Sequence, residues 1–468
     1  MKVKKIILKD YNQFKKLELD LTYPSGHPKV GKPLDKICFI GQSGTGKTSL
    51  LRLIKYLVSY NSKVGFGIQL PKIEQGKVLM DLTFENIDYT AYPGINKNEE
   101  SGEETSTVYI SNCKKDNKNI KYEEWLEYRN KFEEKVRPRI INYPTESQDK
   151  YNLTDDEIKE KTPQEIENYL ESLIPNKIID FSYEDKSISW NYVLKDIKHH
   201  RAKELMLKQE IADIALNRDS KPNELSKVNR KYQNWIKKNP DPLALLSEKC
   251  LNPILNKLGL KVKMDIDYET ILSLNTIEIQ TLLGKEVNRN FWSTGTKHII
   301  DTAIPLFELK PQNAVILMDE PEKSLYPDLQ ENIIDFYIQF TSNCQFFFAT
   351  HSPVIAASFD PWEIIELRFD KNNEYAIQNL LWSGERHIDN FKFHPKYLRW
   401  DAILMKVFDV KDEGNSKHRE NELLNYLSLK GQLEKMKKEG KTTSPIYKNK
   451  FELFIASSKK LGWDNEKN

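Results

Sequence analysis

The sequence predicts an α/β fold: a glycine-loop βα unit, an antiparallel β subdomain, a charged helical insertion and an α-rich C-terminal extension. Three observations predict it. A glycine loop, GQSGTGKT at 41–48, lies between the apolar run KICFI at 36–40 and a stretch of helical periodicity. A second apolar run, AVILM at 314–318, ends in two acids, and a third, FFF at 346–348, leads into ATHSP at 349–353. Short, unbroken apolar runs bounded by loops are the pattern of strands buried on both faces.

Taken in order, residues 3–8 and 15–21 alternate around a polar turn and predict a hairpin. The strand at 36–40 and the helix at 48–59, with Leu50, Leu51, Ile54, Leu57 and Val58 on one side, flank the glycine loop. Alternating runs across 64–112, such as KVLMDLTFE and TVYIS, suit an antiparallel sheet. The polar, acidic stretch NKNEESGEETS between them reads as an exposed loop. A charged helix near 121–136 and a strand at 139–143 follow.

From 151 to 257 long charged helical segments dominate. Between Lys195 and Lys238 there are 12 Lys/Arg against 6 Asp/Glu. This basic excess offers either a nucleic-acid surface or a solvated insertion with no partner. Sustained heptads are absent, which argues against a coiled-coil arm. Strand-like runs return after Leu258 (LKVKMDI, TIEIQTL), and the last hundred residues mix helical pattern with basic character. The lysines at 435, 437, 438 and 441 read most simply as part of an exposed, mobile tail, or else as a site for nucleic acid or an acidic protein. The expected divisions are 1–150 and 258–370 for the two halves of one nucleotide-binding head, 151–257 for the insertion, and 371–468 for the extension.

Composition bounds these readings. Of 468 residues 39% are hydrophobic and 11% aromatic, enough for a packed core. With 71 Lys+Arg against 69 Asp+Glu, a globally basic nucleic-acid binder is excluded. The four cysteines are widely spaced and predict isolated thiols. The N-terminal apolar run is too short for an export signal, and no stretch approaches a membrane span, so a cytoplasmic protein with no membrane partner is expected.

The chemistry sits in three motifs. Gly41, Gln42, Ser43, Gly44, Thr45, Gly46, Lys47 and Thr48, followed by Ser49, fit G-x-x-x-x-G-K-[ST] in a strand–loop–helix setting. Glycines let backbone N–H groups converge on phosphate oxygens, and the following helix adds its positive end. Lys47 would bridge the β and γ phosphates of ATP, with the Thr48 hydroxyl on Mg²⁺. Asp319 would complete the Mg²⁺ shell, and Glu320 would activate water as general base. His351, just past the third run, could reach a γ-phosphate.

The order of this loop, then WSTGTKH (292–298), LMDEPEKSLYPD (317–328) and ATHSP (349–353), resembles the ABC-type ATPases. It is most similar to the branch of RecF, SMC and OLD-like proteins, and within it to ATPase subunits of bacterial antiphage systems such as AriA of PARIS and PtuA of Septu. The resemblance covers about 1–150 and 250–370. It implies a homodimer or higher homo-oligomer in which two heads sandwich ATP. Ser293 and Gly295 would touch the γ-phosphate held by the opposite subunit, Leu325 and Pro327 would belong to the interface loop, and His351 would be the switch histidine. Gln148 is the candidate Mg²⁺- and water-sensing glutamine. Two departures stand out: Ser-Thr-Gly-Thr replaces Ser-Gly-Gly-Gln in the signature, and Asn12-Gln13 stands where many relatives carry an arginine.

The resemblance implies an ATP-hydrolysing sensor or scaffold that controls a separate effector, a nuclease or toxin, in response to DNA or a phage protein. No second catalytic constellation is visible in the 117 residues after His351, so the effector is expected in trans. The alternative is a DNA repair or recombination ATPase gripping DNA through the helices near 195–238. A transporter motor is disfavoured by the helical insertion.

Overall fold

The computed structural model describes residues 1–60, 73, 76–84, 86–97, 104–135, 140–144, 165, 168, 178–181, 192–216, 222–264, 277–408 and 417–463. Two units emerge, Met1–Leu398 and Arg399–Asn468. In the first, the described residues form three sheets.

The N-terminal hairpin is β1 (Lys2–Tyr11) and β2 (Phe14–Asp20). The apolar run ahead of the glycine loop is β3 (Lys36–Gly41), and the helix after it is α1 (Lys47–Tyr60). Next come β4 (Val78–Phe84), β5 (Ile87–Lys97), β6 (Glu104–Lys115) and β7 (Lys118–Asn119). With the hairpin they make an antiparallel sheet of order β2-β1-β4-β5-β6-β7. The acidic loop expected between the runs falls largely at 98–103, outside the described residues.

After α2 (Tyr122–Lys135) come β8 (Ile140–Tyr143) and β9 (Ile178–Asp180). The charged helices are α3 (Lys195–Leu216) and α4 (Pro222–Lys238), and a small sheet β10-β11-β12 follows (Leu260–Val262, Ile279–Thr281, Glu286–Val287). The second half of the head contributes α5 (Thr294–Leu309), β13 (Val315–Asp319), α6 (Pro327–Ile338), β14 (Gln345–Ala349), β15 (Ile364–Phe369) and β16 (Ala376–Asn379). The sheet that positions the site has order β16-β15-β3-β14-β13-β8-β9. Its pairs are parallel except the antiparallel edge β15–β16.

Three strands depart from the expectation. β9 lies inside the segment read as a helical insertion, and β16 lies in the stretch read as helical and basic, pairing with β15, an unforeseen strand beside β3. β15 carries Glu366 and Arg368 within IIELRF, which masks its apolar run. Glu366 is buried and accepts a hydrogen bond from Asn379 Nδ2 at 2.7 Å, which satisfies the carboxylate inside the sheet.

The parallel strands are buried on both faces, as their sequences require. All five helix positions named above on α1 are buried. They join a core that also takes in Ile6, Leu8 and Met80 from the antiparallel sheet and Phe39, Val315 and Phe347 from the parallel one. Each such side chain contributes about 1.5–3 kcal/mol on burial, so α1 is clamped between two sheets and the loop at its start is rigidly carried. A pair between half-buried Lys55 Nζ and buried Asp180 Oδ2 at 2.9 Å ties α1 to β9, and Asn142 Nδ2 donates to the other Asp180 oxygen at 2.8 Å.

The insertion is less basic at its surface than its sequence suggests. Lys198 and Arg201 on α3 are buried. Lys208 pairs with Glu204 at 2.8 Å, and Lys231 on α4 with Glu210 at 2.8 Å.

The second unit contains α7 (Trp400–Lys406) and an antiparallel pair of long helices, α8 (Lys417–Lys438) and α9 (Pro445–Lys460). Tyr426 stacks on Phe454 at 4.5 Å and meets Trp463 edge-on at 5.0 Å. This corrects the reading of 430–450 as a mobile tail. The lysines at 435, 437 and 438 lie on the last turns of α8 and Lys441 in the turn after it; all four are exposed, on a packed helix pair rather than an unstructured tail. The aromatic contacts that hold the pair join residues 28 and 37 positions apart, beyond the reach of a local charge pattern. All four cysteines are free and buried. Among the described residues no helix is long and apolar enough to cross a membrane.

Candidate active site

Strand register brings the three motifs together. Ala349 pairs with Phe39 on one side and Asp319 on the other, so β3, β14 and β13 end side by side. Main-chain bonds extend the alignment by one residue: Glu320 N donates to Ala349 O at 2.8 Å and Thr350 N to Phe39 O at 3.0 Å. Carboxyl ends of parallel strands are where open α/β sheets bind ligands.

The loop leaves β3 at Gly41, whose φ of +131° excludes other residues sterically. A Cβ there would also run into the carbonyl oxygen of Leu367 on β15. Gln42, Ser43 and Gly44 are exposed, whereas Thr45, Gly46 and Lys47 are buried and Thr48 and Ser49 half-buried. Thr45 Oγ1 donates to Gln42 O at 2.8 Å and closes the turn. The backbone N–H groups that open α1 lack intrahelical partners and form an anion cradle. Gln13, at the tip of the N-terminal hairpin, donates from Nε2 to Gly44 O at 3.5 Å. The residue marked in sequence as replacing an arginine thus touches the loop itself.

Lys47 Nζ donates to Gly41 O at 2.9 Å and Gln42 O at 3.0 Å. Burial pulls its pKa down to about 8, against the opposing pull of Asp319, Glu320 and Glu322. Thr48 Oγ1 donates to Asp319 Oδ2 at 2.8 Å, uniting a hydroxyl from α1 with a carboxylate from β13. Two hard oxygen donors at this distance, beside a phosphate cradle, fit Mg²⁺, which takes one or two protein oxygens and completes its shell with water and phosphate.

Glu320 sits at φ 54°, an uncommon conformation for a glutamate. The turn it makes throws the following loop away from β13. The His351 imidazole is held below its usual range by burial first and by the Lys47 ammonium second, with Asp319 opposing, which favours the neutral ring.

Glu322 was not legible as a site residue in the sequence. Its Oε1 accepts from Thr350 Oγ1 at 2.6 Å and from His351 N at 3.1 Å. Only the repeated acid in DEPE hinted at it, because its partners lie 28 and 29 positions away.

The signature residues lie at the start of α5. Ser293 is exposed and caps the helix, accepting from Thr296 N at 3.1 Å. Gly295 is buried against the loop after the acids, where a Cβ would collide with Ser324 O. His298 Nε2 meets Pro321 O at 3.0 Å, and burial lowers its pKa to about 4. Leu325 is buried, while Tyr326 and Pro327 are exposed. Gln148 lies outside the described residues.

A family model described as "AAA domain, putative AbiEii toxin, Type IV TA system" matches residues 36–357, which contain every motif above. No curated protein matches in sequence. Among solved structures, the SmcHead bound to the C-winged helix domain of ScpA is 13% identical, with 81% of this chain and 97% of that chain covered at a TM-score of 0.35. The Smc head domain with an extended coiled coil bound to the C-terminal domain of ScpA, from Pyrococcus furiosus, is 14% identical (81% and 96% covered, TM-score 0.37). The SMC head domain from Thermotoga maritima is 12% identical (81% and 98% covered, TM-score 0.32). Likeness at this level bears on neither mechanism nor partners.

Proposed function

The chain belongs to this AAA-domain family, and from that premise we propose that it is an Mg²⁺-dependent ATPase whose two heads close on ATP to control a separate effector. The observation that carries the ATPase reading is the Thr48–Asp319 contact at 2.8 Å beside Lys47, which brings together two oxygens that would ligate Mg²⁺. In this reading Lys47 leaves the Gly41 and Gln42 carbonyls for the β and γ phosphates, and the loop N–H groups hold the remaining oxygens. Thr48 and Asp319 would hold Mg²⁺, which would supply charge neutralisation to the phosphates. Glu320 accepts the proton of the attacking water. Neutral His351 donates to the γ-phosphate rather than adding a charge of its own.

The paired heads are supported by what surrounds Ser293. Phe291 is 82% exposed and Tyr326 73% exposed, on the two loops that meet at Gly295. Exposed aromatics beside a helix-capping serine suit a face that a second copy covers. The wider role, a sensor or scaffold of an antiphage defence system acting on a nuclease or toxin in trans, is supported by the single set of catalytic motifs read in the sequence. The family description, which names a putative toxin and a Type IV TA system, applies to the matched domain itself. The DNA-repair alternative loses ground because two of its basic residues, Lys198 and Arg201, are interior.

The test is turnover and assembly of the purified protein. ATP hydrolysis should require Mg²⁺, vanish in Lys47→Ala with ATP binding, and fall by about 10²-fold or more in Glu320→Gln with binding retained. ATP should convert Glu320→Gln to a dimer that Phe291→Asp prevents. Absence of hydrolysis in the wild type would overturn the ATPase reading, and salt-sensitive DNA binding by α3 and α4 would restore the alternative.

A further inference from the structure

We infer that Glu322 is a positioning residue for hydrolysis at this site: its carboxylate clamps the Thr350–His351 backbone to the loop that carries Glu320. The inference rests on the ATPase reading above and assigns a role to a residue that the reading does not use.

Beyond Asp319 and Ala349 the two strands stop pairing, and the main-chain bond from Glu320 N to Ala349 O is the last rung. The chains then part, one toward α6 and the other into a single helical turn at Pro353–Ala356. Without further links, the relative position of Glu320 and His351 would depend on two diverging loops. Glu322 supplies the link, because one oxygen gathers the Thr350 hydroxyl at 2.6 Å and the His351 N–H at 3.1 Å. Thr350 is wholly buried, so its hydroxyl has a fixed bearing. On the other side of His351, Ser352 Oγ donates to Gln330 Oε1 at 2.6 Å, and Gln330 Nε2 donates to Leu325 O at 2.8 Å. The histidine backbone is therefore held before and after by side chains from 322–330.

The second carboxylate oxygen argues for function over plain packing. Glu322 Oε2 is shut off from solvent and has no hydrogen-bond partner among the described residues. A buried polar atom left unsatisfied is costly, and where one persists a catalytic role is a common reason. The same carboxyl, with Asp319 and Glu320, favours the charged form of Lys47.

Displacing a catalytic group by about 1 Å can cost on the order of 10²-fold in rate while leaving binding intact. Glu322→Ala should lower kcat by about tenfold or more with ATP affinity within about twofold of wild type, a split that marks positioning. Glu322→Gln keeps an oxygen for both donors and should recover most of the lost kcat. Thr350→Val should give part of the loss, and adding it to Glu322→Ala should cost little more, since both remove one link. Wild-type kcat in Glu322→Ala overturns the inference. So does a loss of kcat that Gln does not rescue and that tracks falling thermal stability. If the wild type itself hydrolyses no ATP, the ATPase reading fails separately, and the clamp is then judged by the ¹⁵N signal of the His351 imidazole. That signal should shift in Glu322→Ala but hold in Glu322→Gln; an unmoved signal rejects the clamp.

Discussion

Lys47 carries the sharpest conflict between folding and function in the molecule. Its ammonium is buried, and two backbone carbonyls replace water imperfectly. With the folded pKa lowered to about 8, the charged form is disfavoured in the folded protein relative to the unfolded chain, where lysine titrates near 10.4. The sign follows: the unfolded state binds the proton more tightly, so the penalty is full below about pH 8 and fades as pH rises toward the unfolded value. Lys47→Met should therefore stabilise the nucleotide-free protein by on the order of 1–2 kcal/mol at pH 7. The gain should disappear near pH 10.5, and ATP binding should be lost at every pH. Urea melts at the two pH values, with nucleotide titrations alongside, measure both effects. A destabilised Lys47→Met at pH 7 would mean that the carbonyl bonds outweigh the burial penalty.

At the scale of elements, α5 shows how one helix start serves both packing and chemistry. Gly295 is in the helix yet faces Ser324 O too closely for any Cβ, so the helix lies directly on the loop that follows Glu320. Alanine would favour the helix by about 1 kcal/mol through propensity. The collision should outweigh that, leaving Gly295→Ala destabilised by about 1–3 kcal/mol. Ser293→Ala removes only an exposed cap and should cost about 1 kcal/mol. Chemical denaturation of the two variants compares them directly; equal losses would mean that the loop yields to the new methyl. The signature was legible because its residues are contiguous, and so were the phosphate loop and the strand-end acids. Glu322 was not, since its meaning comes from Thr350 and His351 across the sheet. β15 was obscured by a buried glutamate whose partner, Asn379, lies on the next strand, and β9 by its length of three residues within charged sequence. In each case the missing information is a contact between distant residues, which periodicity cannot carry.

Across the head as a whole, the antiparallel and parallel sheets must be locked in register for the hairpin tip at Gln13 to reach the phosphate loop. Apolar packing alone joins them without direction, because burial is indifferent to sliding. Directional links include the Lys2–Asp35 pair at 2.6 Å, the bond from Ala376 N to Gln13 O at 2.8 Å and, most buried, Gln345 at the start of β14. Its Oε1 accepts from Val3 N at 2.6 Å, and its Nε2 donates to Val3 O at 3.0 Å and Leu34 O at 2.9 Å. One side chain thus binds β1, the segment leading into β3, and β14. Gln345→Leu would keep the volume but strand a buried N–H and two buried carbonyls, at about 1–3 kcal/mol for each group that water cannot reach. A loss of about 3 kcal/mol or more in unfolding free energy is expected, large for one substitution. Gln345→Glu should be no better, because a carboxylate cannot donate to the two carbonyls. Because β3 leads directly into the phosphate loop, ATP affinity should also fall in Gln345→Leu at temperatures where the variant is still folded. Circular dichroism melts and nucleotide titration below the transition separate the two effects. Unchanged affinity in a folded Gln345→Leu would show that packing of α1 between the sheets holds the loop without the amide.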